Sequence, residues 1–513
     1  MEIDLEYLPP GAAYDKEHLN AGDQDADARK SAHSTVAQMA EINQVRQGLH
    51  QRHIQMIALA GTIGTGLFLS SGTALTNAGP LGAFLGYSFT GLLVSSVVFA
   101  VGEMGSLVPL NGGVVRYSEL FFDPALAFAN GCNQVCYAAV TIAAEVVATS
   151  VVIEFWASAI SVVRIYGELE FFFSILKIML IIGINIMALV ITCGGGPNHV
   201  SIGFRYWRHP GPFVQYLGIG GSLGRFLGFW TTFNNALYAY SGIETITVAA
   251  AETKNPRQAI PIAAKRIFIR IILFYVLTMF MIGLVVPSNN PDLLTSSGTA
   301  AQSPFVIAAR LAGIKVVPSI INAVVLTSAW SSGNSSMLAG SRMLYSMAVL
   351  GHAPALFKRI NRFGIPYTCV CFYGVFICLG YMALSNSTDS VFTWLQNIIS
   401  ISTLVNWMSI LIVYLRFFYG CRKQGINRYT ELPWAGPFQP YPAWISLFIF
   451  GFLLLTGGYT TFIHGHWSTA TFVSSYLNLP FILVLYFGYK LIRKTKIVPL
   501  GEMPIRPFIE AAR

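Results

Sequence analysis

Gly61-Thr62-Ile63-Gly64-Thr65-Gly66 is the stretch that decides how this chain is read. It lies inside an apolar run from Ile54 to Leu75, long enough to cross a bilayer as a helix. Three glycines in six residues weaken that helix at mid-depth, where an unpaired peptide group is most costly. Backbone that opens there must line a protected, polar cavity. Helices interrupted in this way hold substrate in secondary transporters, and the motif predicts such a break here.

The composition is that of a chain whose solvent is the lipid bilayer. Of 513 residues, 54% are hydrophobic and 11% charged, with mean hydropathy +0.58. Soluble domains carry about 25% charged residues. Residues 1–50 stand apart, with nine acids against four bases, so the overall +9 divides into −5 there and +14 in the remainder. They lack a basic stretch followed by an apolar one, so they read as a disordered cytoplasmic tail and not as a cleaved signal. Residues 51–490 read as one transmembrane domain and 491–513 as a cytoplasmic C-terminal tail. The basic excess has no aromatic-interleaved patch, which argues against a nucleic-acid partner and for the positive-inside bias. The seven cysteines mostly lie in apolar runs. Cys369-Val370-Cys371 has no histidine or acid nearby, so no metal site, cofactor or disulfide framework is expected.

Apolar runs predict spans near 54–75, 81–106, 125–156, 171–192, 226–250, 267–286, 318–346, 368–385, 391–414, 443–463 and 470–490. Basic clusters flank them: Arg46 and Arg52; Lys254, Arg257, Lys265 and Arg266; Lys358, Arg359 and Arg362; Arg422, Lys423 and Arg428; Lys490, Arg493 and Lys494. The positive-inside rule places all of these, and both termini, in the cytoplasm. From Lys254 onward the basic loops alternate correctly with neutral ones. Five crossings from an inside N-terminus, however, would put Lys254 outside. One more crossing is required between about 125 and 171, and no run there supplies it. Eleven spans are visible where twelve are expected, with the fourth missing.

The partner of the first break is Tyr238-Ala239-Tyr240-Ser241-Gly242-Ile243-Glu244, where a glycine and a carboxylate interrupt an apolar helix. It falls five spans after the first break once the missing span is restored. That spacing predicts an all-α, five-plus-five inverted repeat with broken helices 1 and 6, followed by two further helices. Half-helix N-termini present free amides and half-helix C-termini free carbonyls. A ligand with both a carboxylate and an ammonium, such as an α-amino acid, would bridge the two breaks. Its carboxylate would take the amides of Thr62, Ile63, Gly64, Thr65 and Gly66. Its ammonium would take carbonyls around Leu59–Gly61 and Tyr238–Tyr240, with Ser241 and Gly242 at the rim. Small residues for close helix packing are the competing explanation of these glycines.

With both breaks in hand, the chain resembles the fungal amino-acid permeases of the amino acid–polyamine–organocation superfamily. The likeness runs from about Arg52 to Tyr489. It rests on Gly61 to Phe68, Gly102-Glu103-Met104, Arg164-Ile165-Tyr166-Gly167-Glu168, Ser241-Gly242-Ile243-Glu244, Ser303-Pro304-Phe305, Ser341-Arg342 and Tyr414-Leu415-Arg416-Phe417. It implies twelve helices, plasma-membrane location and amino-acid uptake. The family has a full fourth helix before its equivalent of Arg164, which this chain lacks. Gly313-Ile314-Lys315-Val316 and Thr327-Ser328-Ala329-Trp330 resemble the proline and neutral amino-acid branch.

The resemblance also implies roles. A lysine at the position of Lys177 replaces a sodium ion in bacterial relatives, which implies proton coupling. Glu244, Glu103 and Glu145 lie in apolar spans and are further proton-coupling candidates. Phe233, Tyr240, Asn334, Ser335 and Asn406 are expected to set side-chain selectivity, with Tyr240 at a gating aromatic position. Asn386-Ser387-Thr388 is a glycosylation sequon, and Lys16 and Lys30 are candidate acceptors for ubiquitin-ligase machinery. An amino-acid sensor of the same fold and a sodium symporter are the alternatives. An enzyme is not expected, because Gly220-Gly221-Ser222-Leu223-Gly224 lacks the preceding strand of a nucleophile elbow.

Sequencing the transcript across the codons for Trp156 and Tyr166 tests the missing span. Additional in-frame residues are expected, and a read with none would refute an exon-boundary explanation.

Overall fold

The computed structural model describes residues 63–109, 112–153, 167–245, 256–294, 303–361, 365–384 and 388–511. Thr62, Lys16, Lys30, Leu59–Gly61 and Asn386 lie outside them. The chain divides into Met1–Arg46 and Gln47–Arg513, and every described residue belongs to the second unit.

Among the described residues the regular structure is helical. Helix α1 runs Thr65–Leu107 and α2 Val114–Phe121, followed by α3 Pro124–Ile153 and α4 Gly167–Thr192. Helix α5, Gly221–Tyr240, ends at the second break. Helices α6 (Pro256–Arg270) and α7 (Leu277–Val285) are joined by a π-helical turn, and α8 is Pro304–Leu311. Then come α9 Val317–Val349, α10 Tyr367–Phe376, α11 Thr388–Lys423, α12 Tyr441–Thr456, α13 Thr469–Tyr476, α14 Asn478–Arg493 and α15 Ile505–Glu510.

Six helices among the described residues are long and apolar enough to cross a membrane. The first of them, α1, has 43 residues, about 65 Å at 1.5 Å per residue, so it is two crossings. They join at Gly79-Pro80. Gly79 has φ 76° and ψ 173°, a region closed to residues with a Cβ, and Pro80 starts the next helix without needing a donor. The segment before α5 seals this corner: Leu81 N donates to Pro212 O at 3.0 Å and Val214 N to Ala78 O at 3.3 Å. Helix α9 falls outside the six because serines and asparagines lower its hydropathy; those residues serve the site.

Helix α9 fixes the direction of its neighbours. A methyl added at Gly131 would meet Met347, one at Gly340 would meet Ala138, and one at Gly64 would meet both Glu145 and Ser332. Helix α3 therefore runs antiparallel to α9. Lys177 of α4 reaches Ser331 at 2.9 Å, and Gly196, just past α4, lies against Ala312, just before α9. Helix α4 is antiparallel to α9 too. Consecutive helices α3 and α4 are thus parallel, and the return between them falls to the thirteen residues 154–166, which lie outside the described residues. Thirteen residues make about 20 Å of helix, against a hydrocarbon core of about 30 Å. This is the same constraint that the charge parity gave.

The C-terminal segment, read from sequence as a tail, packs on the body. Ile505 and Phe508 are fully buried, Val498 N donates to Phe122 O at 2.8 Å, and Gln424 donates to Met503 O at 2.9 Å.

Gly79→Ala should lower stability by about 1–3 kcal/mol from the backbone conformation alone. Its methyl would also meet Pro212 O at 2.8 Å. A detergent melting curve checks this, and an unchanged midpoint would contradict the reading of the corner.

Candidate functional site at the two helix breaks

The first break lies at the N-terminus of α1, with the Glu145 carboxylate against it. Gly64 is extended (φ −100°, ψ −153°) and has no side chain of its own to cap the helix that starts at Thr65; the Glu145 carboxylate accepts from the Thr65 amide instead. An anion would be drawn to the amides beside and beyond Thr65, where the N-terminus of a helix favours negative charge. The second break is the turn at Ser241-Gly242, with Gly242 at φ 81°, followed by a short 3-10 turn at Ile243–Thr245. The two breaks meet. A methyl added at Gly66 would lie 2.9 Å from Ala239 Cα and 3.1 Å from the Tyr238 ring. Only a residue without a side chain lets the start of α1 touch the backbone at the end of α5.

Around this contact stands a buried polar group. Thr65 Oγ1 donates to Glu145 Oε2 at 3.1 Å and lies 3.0 Å from the Tyr238 hydroxyl. Ser328 Oγ donates to Ile63 O at 2.9 Å, tying the first break to α9. One turn on, Ser331 Oγ accepts from Lys177 Nζ at 2.9 Å; the lysine is fully buried. Lys177 therefore ends on the helix that anchors the first break and does not snorkel to an interface. Glu244, at the second break, accepts from Asn406 Nδ2 and Trp407 Nε1, both at 3.0 Å. Asn130 Nδ2 of α3 extends this chain to Asn406 Oδ1 at 3.2 Å.

The structure thus brings together Ile63, Gly64, Thr65, Gly66, Tyr238, Glu145 and Lys177, with Ser241, Gly242, Glu244 and Asn406 at the second break. Asn334 and Ser335 are half-buried on α9 beyond Ser332. Three candidates stand elsewhere. Tyr240 donates to Tyr87 O at 3.1 Å and stacks near Tyr275 at 4.4 Å, so Tyr238 is the tyrosine at the first break. Phe233 lies about two turns back along α5, in an aromatic group with Phe229 and Trp230 at 5.3 and 5.1 Å. Glu103 pairs with Arg428 at 2.6 Å, far along α1 from either break. Among the carbonyls expected to meet an ammonium, Tyr238 O already accepts from the Ser241 hydroxyl at 2.7 Å and the Ser241 amide at 3.2 Å.

Sequence reasoning passed over Ser328, Ser331, Ser332, Asn130 and Trp407 as site residues. A signal for the serines existed: Ser331-Ser332-Gly333-Asn334-Ser335-Ser336 is a small, polar run in the middle of a membrane helix.

Gly66→Ala should weaken ligand binding at least about tenfold, the loss of about 1.4 kcal/mol, by prising the breaks apart. Gly333→Ala is the control, since its methyl would meet only Glu145 Cβ at an ordinary 3.5 Å. Equal binding by the two variants in a ligand-induced melting shift would contradict the geometry.

Comparison with known proteins agrees with this architecture. Residues 53–500 match the family model described as amino acid permease. A proline-specific permease of Saccharomyces cerevisiae is 39% identical, over 92% of this chain and 79% of the relative. A dicarboxylic amino acid permease of the same yeast is 37% identical, over 92% of this chain and 81% of the relative. A crystal structure of a manganese transporter from Eremococcus coleocola superposes with TM-score 0.52 at 14% identity, covering 89% of this chain and 94% of that one, a likeness of fold alone. The family model and the yeast relatives, each matched over most of the chain, make this protein a member of the amino acid permease family.

Proposed function

We propose that this chain carries a neutral amino acid, proline among them, into the cell across the plasma membrane together with a proton. The family makes it a multi-pass membrane transporter of amino acids and not an enzyme. The observation that carries the finer reading is the contact at Gly66, which sets the N-terminal end of one helix beside the C-terminal end of another. That pairing suits a ligand charged at both ends. The ligand carboxylate would lie on the amides of Gly64 and Gly66, beside the Thr65 amide that Glu145 takes, and its ammonium on the carbonyl end of α5. Glu145, Thr65 and Tyr238 would border the side-chain end.

Alternating access follows if the part of the fold carrying the breaks rocks against α3 and α9 around this fixed site. Lys177 supports proton coupling, because its ammonium holds Ser331 where a bound cation would otherwise be required. The proline preference rests on relatives: two proline-specific permeases are 39% identical, yet the dicarboxylic permease is nearly as similar. Termini in the cytoplasm follow from the basic loops.

The parallel course of α3 and α4 supports a chain that lacks its fourth crossing. A chain with that crossing restored is therefore the right partner for the test. Radiolabelled proline uptake by permease-deficient cells should appear for the restored chain, collapse with an uncoupler and be indifferent to sodium. Lys177→Ala should abolish pH-driven accumulation while leaving exchange within about threefold, since exchange moves no net proton. A sodium requirement, or equal loss of both modes, would refute proton coupling through Lys177. Signalling without accumulation would favour a sensor.

A further inference from the structure

Glu103 lies near the end of the helix that starts at the first break, yet its partners come from another part of the fold. Arg428 Nε and Nη2 donate to its two oxygens at 2.6 and 2.7 Å. The Tyr414 hydroxyl and the Gly436 amide each add a bond at 2.8 Å. The carboxylate is fully buried, and the Arg428 guanidinium lies 4.5 Å over the Phe418 ring. Tyr414 and Phe418 belong to α11, and Arg428 and Gly436 to the connector 424–440 that follows it. Trp434 of that connector packs against Phe99 and Gly102 of α1.

Two features mark this as more than a brace. First, α11 also carries Asn406 and Trp407, which hold Glu244 at the second break. One helix therefore grips an acid from each repeat, Glu244 at the site and Glu103 at the end read as cytoplasmic. Second, an open cleft of about 550 Å³ lies between part of the connector and the start of α6, the helix that follows the second break. Arg257, Pro261 and Ile262 line one side, Glu431, Leu432 and Pro433 the other. The connector and α6 thus have room to approach or part.

We propose that the Glu103–Arg428 pair is the inner clasp of the transport cycle. It holds the connector 424–440 against α1 in one state and releases it in the other. The inference rests on the alternating-access reading above. A buried, bidentate ion pair suits such a contact because it is close to all-or-none: loosening one partner leaves a buried charge, so partial opening is disfavoured. Rocking of one repeat against the other needs contacts of this discrete kind. With four donors already on it, Glu103 acts as a positioning residue and not as a carrier of the coupled proton.

Cys421 offers a native reporter that needs no substrate. It is fully buried on α11 between Tyr414 and Arg428, and Cys369 on α10 is equally buried away from the pair. The full chain in isolated membranes is treated with a permeant maleimide, and each cysteine is quantified by peptide mass spectrometry. Glu103→Gln should raise the modification rate of Cys421 by about fivefold or more through a shift toward the open state, with Cys369 unchanged. Tyr414→Phe, which removes one donor, should give a smaller rise at Cys421 alone. An unchanged Cys421 rate in Glu103→Gln would overturn the clasp. Parallel rises at Cys421 and Cys369 would overturn it as well, because the pair would then hold the fold as a whole. Loss of uptake bears only on the transport reading, so the two failures stay distinguishable.

Discussion

The contact between Gly66 and the backbone at Ala239 is the constraint on which the rest of the structure depends. Two half-helices cannot share one ligand unless their ends come within a ligand's length of each other. A side chain at either surface would hold them apart, and glycine at position 66 removes that obstacle. Close approach then places the first amides of α1 beside the end of α5 among buried residues. Polar backbone left open there must be answered by a ligand or by neighbouring side chains.

The neighbouring helices are built to answer it. Helix α9 gives up apolar residues for serines at the level of the first break, and Ser328 and Ser331 take up Ile63 O and Lys177. Helix α11 does the same for the second break through Asn406 and Trp407. Helix α3 serves both, through Glu145 at Thr65 and Asn130 at Asn406. These residues cost hydropathy in the helices that carry them, which is why α9 does not qualify as a span on composition alone. Part of the buried polarity is thus gathered where the backbone is broken.

Much of this was legible in the sequence because membrane helices have few ways to use glycine and charge. The two breaks, their spacing and the deficit of one crossing came from glycine placement and basic loops alone. The parallel course of α3 and α4 reaches the same deficit through packing. What stayed hidden was which face each residue turns. Tyr238 and Tyr240 are two residues apart on one helix, about 200° around its axis. Sequence motif favoured Tyr240, whereas the packing of α1 against α5 turns Tyr238 to Thr65. Glu103 read as a membrane acid because its partner Arg428 lies 325 residues away, beyond any local pattern. The serines of α9 were visible as a polar run, but only their neighbours reveal what they hold.

The central claim is that a single ligand is held by both of its charged ends, one at each break. Competition by blocked analogues tests it most directly, measured as displacement of bound radiolabelled proline from the chain with its fourth crossing restored. Proline methyl ester lacks the carboxylate and N-acetylproline lacks the ammonium. Each should compete at least about a hundredfold more weakly than proline, a loss of about 2.7 kcal/mol per missing charge. Undiminished competition by either analogue would mean that one break does not bind the ligand, and would contradict the account.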